Sequence, residues 1–123
     1  MLLVQVTDES EDELRADFQQ YYGLNLDDMG SEYSYIHAAT LLIQLPKTSR
    51  IAIKRNPDNE WDEQTRILAH LEYDVRRLAW SMTKDAQHRR NEPKPLPSPS
   101  ERQAARRRIE GADKDLVDRV LGR

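Results

Sequence analysis

His37, His70 and His88 are the residues of this chain best suited to hold a metal or to move a proton near neutral pH. His70 and Asp74 stand four apart, which puts both on one face of a helix. A protein metal site needs three or four ligands, and no further donor follows at local spacing. The carboxylate pairs Glu11/Asp12 and Asp27/Asp28 could do acid–base work only if burial or mutual proximity moved their proton affinities. They fall at a helix start and in a turn, and offsetting the helix dipole is the ordinary use of such residues. There is no cysteine, so thiolate chemistry and disulfides are excluded. No Walker loop, Gly-x-Ser-x-Gly elbow, His-Glu-x-x-His pair or EF-hand spacing occurs. The expectation is a protein with no cofactor, no metal and no catalytic site, hence not an enzyme.

Two stretches carry recognition chemistry instead. Arg106, Arg107 and Arg108 could contact phosphates. Glu101, Glu110, Asp113 and Asp115 dilute that charge, and no aromatic residue follows Trp80 to stack on bases. A solvated helix face is the simpler use. The run Pro93-Lys-Pro-Leu-Pro-Ser-Pro99 offers PxxP-like registers for a polyproline groove. Such matches are common, and a spacer is the simpler use here too.

These residues sit on a legible scaffold. Ser10 and Glu13 form a capping-box pattern, and Leu14, Phe18 and Tyr21 follow on one helical face. Gly23 supplies a left-handed stop, so a first helix is predicted at roughly 11–22. Leu2–Val6 is read as irregular or extended. Ser31 or a neighbour starts a second helix near 32–45, with Tyr35, Ala38, Ala39, Leu42 and Ile43 as its buried stripe and Pro46 as its stop. A short third helix near 48–55 carries Ile51 and Ile53, and a turn follows at Asn56–Asn59. A fourth, long helix is predicted at roughly 60–88. Its residues Leu68, Leu71, Val75, Leu78 and Met82 alternate spacings of three and four, and are read as bundle core. The prolines then impose a stiff extended strap. Ser100 caps a final helix, weakened at Gly111, with an apolar patch at Leu116, Val117, Val120 and Leu121. The fold class expected is all-α: a small bundle of about four helices, then a strap and a C-terminal helix. The domains expected are a helical body over 1–90, a linker over 91–100 and a basic amphipathic tail helix over 101–123, mobile and ordered only against a partner.

Composition supports a thin core. Hydrophobic residues make up 37% and charged residues 33% of the 123, and mean hydropathy is −0.88. Residues 1–83 hold 8 Lys/Arg against 15 Asp/Glu, a balance of −7, while residues 84–123 hold 11 against 7, a balance of +4. An acidic body with a basic tail can attract an acidic partner, nucleic acid or its own body. No apolar run approaches a membrane span of about 20 residues, and no signal-peptide pattern is read at the start. The expected location is the cytoplasm, with no membrane partner.

The order of pieces resembles a known family. Arg15-Ala-Asp-Phe-Gln-Gln-Tyr-Tyr-Gly-Leu-Asn-Leu26 comes first, then Leu41-Leu-Ile-Gln-Leu-Pro46 and Ser49-Arg50. Asn56-Pro57 and Trp61 precede a long helix with Glu72, Arg76, Leu78 and Trp80, and Asn91-Glu-Pro-Lys-Pro-Leu-Pro-Ser-Pro99 closes the series. This succession is similar to the tail assembly chaperones of actinobacterial phages and prophages, often made as the downstream part of a frameshifted pair. It covers roughly residues 11–100 and leaves the tail out. The resemblance implies a non-enzymatic protein that binds the tape-measure protein and the tail-tube protein in the bacterial host's cytoplasm. An upstream assembly chaperone is a further partner where the chain is a frameshift extension. The family pattern assigns no partner-contact residues. The residues themselves nominate Leu116, Val117, Val120 and Leu121 as contacts, with Arg106, Arg107 and Arg108 steering. The rival expectation is a small nucleic-acid-binding or regulatory protein that uses the basic tail, and the acidic pI near 5.6 counts against it.

Overall fold

The computed structural model describes residues 1–122. Among them are six α-helices, two 3-10 turns, no strand and one isolated bridge between Met29 and Tyr33, so the chain is all-α as its periodicities predict. It divides into two compact units, Met1–Glu60 and Trp61–Arg123. The division falls ahead of the long helix rather than at the prolines.

The first unit holds α1 (Leu2–Tyr22), α2 (Tyr35–Ile43) and α3 (Arg50–Arg55). Helix α1 begins earlier than predicted. Leu3 and Val6 lie three residues apart, on one helical face, and both are buried, so packing overrides the weak local signal of Leu2–Val6. A kink at Ser10 (φ −150°, ψ 43°) separates this turn from the predicted helix. The expected capping box gives way to a tertiary pair: Glu13 accepts a hydrogen bond from Lys54 Nζ at 2.8 Å. That pairing, with a backbone bond of its own, holds the Glu13 carboxyl below the usual range. Gly23 ends α1 as predicted, at φ 65°, with the Gly23 and Leu24 amides donating to the Gln19 and Phe18 carbonyls.

The loop that follows delays α2. Tyr33 Oη donates to the Asn25 carbonyl at 3.0 Å, and the Gly30 amide donates to the Tyr33 carbonyl at 2.7 Å. Gly30 sits at φ 92°, and a side chain there would lie 2.7 Å from the Tyr35 hydroxyl. Ser31 is spent on the Asp28 carbonyl, so Ser34 caps α2, accepting from the His37 amide at 3.1 Å. Ala38 and Leu42 are buried as expected, whereas Tyr35 and Ile43 of the predicted stripe are exposed.

The core gathers Leu3, Val6, Leu14 and Phe18 of α1 with Leu26, Ala38, Leu42 and Ile51. Phe18 meets Tyr22 edge-to-face at 5.7 Å. One charged residue lies among them. Asp17 has no exposure and stands at the start of α3. Its Oδ1 accepts from the Arg50 amide at 3.2 Å and from Arg50 Nη1 at 3.1 Å, and its Oδ2 accepts from the Ile51 amide at 2.9 Å. Ser49, also buried, accepts from the Ala52 amide at 3.3 Å. The first three amides of α3, which have no partners within the helix, are thereby all satisfied.

The second unit holds α4 (Glu63–Ser81), α5 (Lys84–Gln87) and α6 (Pro99–Val120). The predicted helix over 60–88 is shorter at both ends and broken at its C-terminal end. Ser81 Oγ and Thr83 Oγ1 donate to the Leu78 and Trp80 carbonyls, both at 2.6 Å, which competes with helix continuation. Thr83 then caps α5. Asp62 caps α4, accepting from the Thr65 amide at 2.7 Å. Ser98, not Ser100, caps α6: Pro99 takes the first helical position, and Ser98 and Glu101 form a reciprocal capping box. Helix α6 runs through Gly111 without interruption.

Replacing Asp17 by Ala leaves two amides without their acceptor and the Arg50 guanidinium with Gln20 alone. Asp17→Ala is expected to lower the first unit's stability by about 2–4 kcal/mol, read as a lower urea midpoint by circular dichroism. An unchanged midpoint refutes the anchoring role.

Candidate functional site

The clearest surface of the second unit is built by what the strap covers and what it leaves open. The chain reverses after α5, where Arg89 (φ 50°) and Asn91 (φ 53°) adopt left-handed backbone. Asp85 holds the reversal, accepting from the Arg90 amide at 2.8 Å and from Asn91 Nδ2 at 3.0 Å. The proline segment then runs antiparallel along α4. Trp80 Nε1 donates to the Arg90 carbonyl at 2.7 Å, and Arg76 Nη2 donates to the Lys94 carbonyl at 2.8 Å. At the far end the Arg102 guanidinium lies 5.9 Å from the Trp61 ring centroid. The lengths agree: 19 helical residues span about 28 Å, and ten extended residues about 31 Å. The strap is therefore a return path, and proline, which donates no hydrogen bond, suits a segment that meets α4 through its carbonyls.

The strap seats on a polar face. Ala69, Glu72, Tyr73, Arg76 and Trp80 are the residues of α4 that become partly buried. Arg76 also pairs with Glu72, which holds its guanidinium above the usual range. At about 100° per residue, this face is centred about 150° from Ile67, Leu68, Leu71, Val75, Leu78 and Met82. Those six are 56–79% exposed. The stripe expected to be bundle core is an open apolar face, and no residue of α4 is buried.

Helix α6 carries a second open face. Ile109, Leu116, Val117, Val120 and Leu121 are 52–77% exposed. Arg106, Arg107 and Arg108 directly precede Ile109 in the chain, and Arg106 Nε donates to Glu110 at 3.1 Å. The nominated contact residues thus share one continuous exposed helix. The sequence reading missed α4 as a surface, although its three–four spacing was visible. A seam of that spacing looks the same whether it is covered or open.

The remaining candidates fall elsewhere. His37 meets Tyr33 edge-to-face at 6.3 Å on α2, His70 is exposed on α4, and His88 closes α5. Glu11 and Asp27 both bind Arg15 at 2.9 Å, so one member of each carboxylate pair is used in a surface ion pair. Burial pushes the Tyr22 and Tyr33 phenols up, and Asp28 and Asp27 add to the effect at Tyr33. A pocket of about 260 Å³ in the first unit is lined mainly by apolar residues including Val6, Leu42 and Ile51.

The arrangement defines an all-α protein that displays two apolar helix faces. No family model, curated protein or solved structure matches this chain.

The cap of α4 has a definite pH dependence. Bonds from Thr65 hold the Asp62 carboxyl below the ordinary 3.8. A depressed folded value stabilises the helix end above the unfolded pKa, and that contribution is lost as pH falls through the folded one. The Thr65 amide is expected to lose its cap-bonded NMR shift on acidification below the ordinary aspartate range. In Asp62→Ala the shift is absent at every pH.

Proposed function

We propose that this chain is a non-enzymatic tail assembly chaperone of a phage or prophage, acting in the host cytoplasm on tape-measure protein, tail-tube protein or both. The observation that supports this reading is the pair of exposed apolar faces, on α4 and α6. Large side chains held in helical register can receive an amphipathic helix. A long tape-measure helix or an unassembled tube subunit exposes apolar surface that such faces can cover. Arg106, Arg107 and Arg108 steer acidic partners, and Leu116, Val117, Val120 and Leu121 make the contact. Resemblance over residues 11–100 supplies the identity of the partners.

The test is co-expression with the tape-measure and tail-tube proteins of the same locus, followed by capture at low and high salt. Retention of either protein supports the reading. Retention of neither, with nucleic acid captured and lost in salt, transfers the function to the basic tail as a regulator. Deleting residues 101–123 is expected to weaken partner capture at least about tenfold, the loss typical of removing several central contacts, while the melt of the first unit stays unchanged.

A further inference from the structure

We propose that two copies of this chain exchange their C-terminal helices, the α6 of each lying antiparallel in the α4 seam of the other. The inference stands on the geometry of the second unit and does not depend on the tail-assembly reading.

In α4 the seam residues Leu68, Leu71, Val75, Leu78 and Met82 keep the three–four spacing of a helix-pairing face. Glu72 borders it on one edge and Asp74 on the other. In α6 the same spacing runs through Ala105, Ile109, Ala112 and Leu116, with Arg106 on one edge and Arg108 on the other. Antiparallel helices bring like edges together, whereas parallel helices bring opposite edges together. An antiparallel pair that sets Leu71 against Ile109 also sets Leu68 against Ala112 and Val75 against Ala105. Large residues then face small ones in the last two layers. The same register places Glu72 beside Arg106 and Asp74 beside Arg108. Both edges of the seam are thus complementary in charge at once. Glu72 and Arg106 now hold Arg76 and Glu110. The Arg106–Glu110 pair is exposed and the Glu72–Arg76 pair half-buried, and ion pairs at the surface contribute little and can exchange.

The same chain cannot supply this partner. Antiparallel docking places the start of α6 beside the C-terminal end of α4, near Ser81. The strap instead delivers it to the opposite end, where Arg102 meets Trp61. The separation is the length of α4, about 28 Å. Since the strap occupies the polar face, it does not obstruct the seam. A second copy has no such constraint. Mutual exchange makes a closed two-fold assembly, and its two helix pairs double the area toward the roughly 1,200–2,000 Å² of a stable interface.

The full chain is to be examined by analytical ultracentrifugation with two seam variants, Leu71→Asp and Ile109→Asp. Both positions are exposed in one chain, so helical content by circular dichroism is expected to persist. The wild type is expected to be dimeric, and each variant to raise the dimer dissociation constant about tenfold or more. Asp74→Arg and Arg108→Asp are each expected to weaken the dimer several-fold, and the double variant to recover most of the loss. A monomeric wild type overturns the proposal. If Ile109→Asp leaves the dimer intact, α4 pairs with α4 and the exchange is wrong. If Leu71→Asp leaves it intact, α6 pairs with α6 and it is equally wrong. A double charge reversal that adds the two losses also overturns it.

Discussion

Asp17 is a carboxylate with no exposure, placed in a unit whose core among the described residues is eight apolar side chains. A charge in that position is costly unless donors surround it, and here the donors are the first two amides and the guanidinium of α3. The dependence is mutual. Helix α3 has only six residues, too short to persist alone. Its N-terminal amides need an acceptor, and its partial positive charge favours an anion. By fixing α3 against α1, Asp17 puts Ile51 into the core and carries Lys54 to Glu13. The position of α3 within the first unit therefore rests on a polar contact that a thin apolar core could not replace.

The second unit is organised by a different constraint. Its extended strap offers carbonyls and few amides, so it needs a surface of donors, and α4 supplies Trp80 and Arg76 four residues apart on one face. Choosing that face settles the opposite one. The apolar stripe stays open because the strap, the segment that runs along the helix among the described residues, is bound to the opposite face. The strap also fixes where α6 begins, at the Trp61 end. A flexible glycine-rich linker of the same length would let α6 visit either end of α4. The prolines thus determine topology more than they separate two parts.

Features held by local chemistry were legible in the sequence. Gly23 stops α1, and the prolines mark an extended segment, because each acts through its own backbone. Features decided by distant partners were not. The helix over Leu2–Val6 depends on Leu3 and Val6 reaching the core. Ser31 and Ser34 are equal as caps until Tyr33 binds Asn25 and delays the helix. Ser98 and Ser100 both begin capping-box patterns, and only the fixed φ of Pro99 ranks them. Among the nominated contacts, the α6 residues were legible as an amphipathic run. The α4 seam was read correctly as apolar and wrongly as covered. Periodicity reports which residues share a face, and coverage depends on what else the chain can bring there.

The two units handle apolar surface in opposite ways, and that separates folding from binding. The first unit spends its large side chains on its own core. Among the described residues the second unit buries only Pro99, and its large aliphatic residues face outward. Covering the α4 seam therefore changes little that the first unit needs for stability. A protein that buried this seam in its own core would have to open in order to bind, and would lose affinity in proportion to the rarity of the open state. Here the seam is already formed, because the strap orders α4 from behind. A partner helix need compete only with whatever helix lies in front. With a second copy's α6 in that place, the competitor is held by a short apolar seam and two charge pairs at its edges. Such a contact can cover the face in the free protein and still yield to a longer helix.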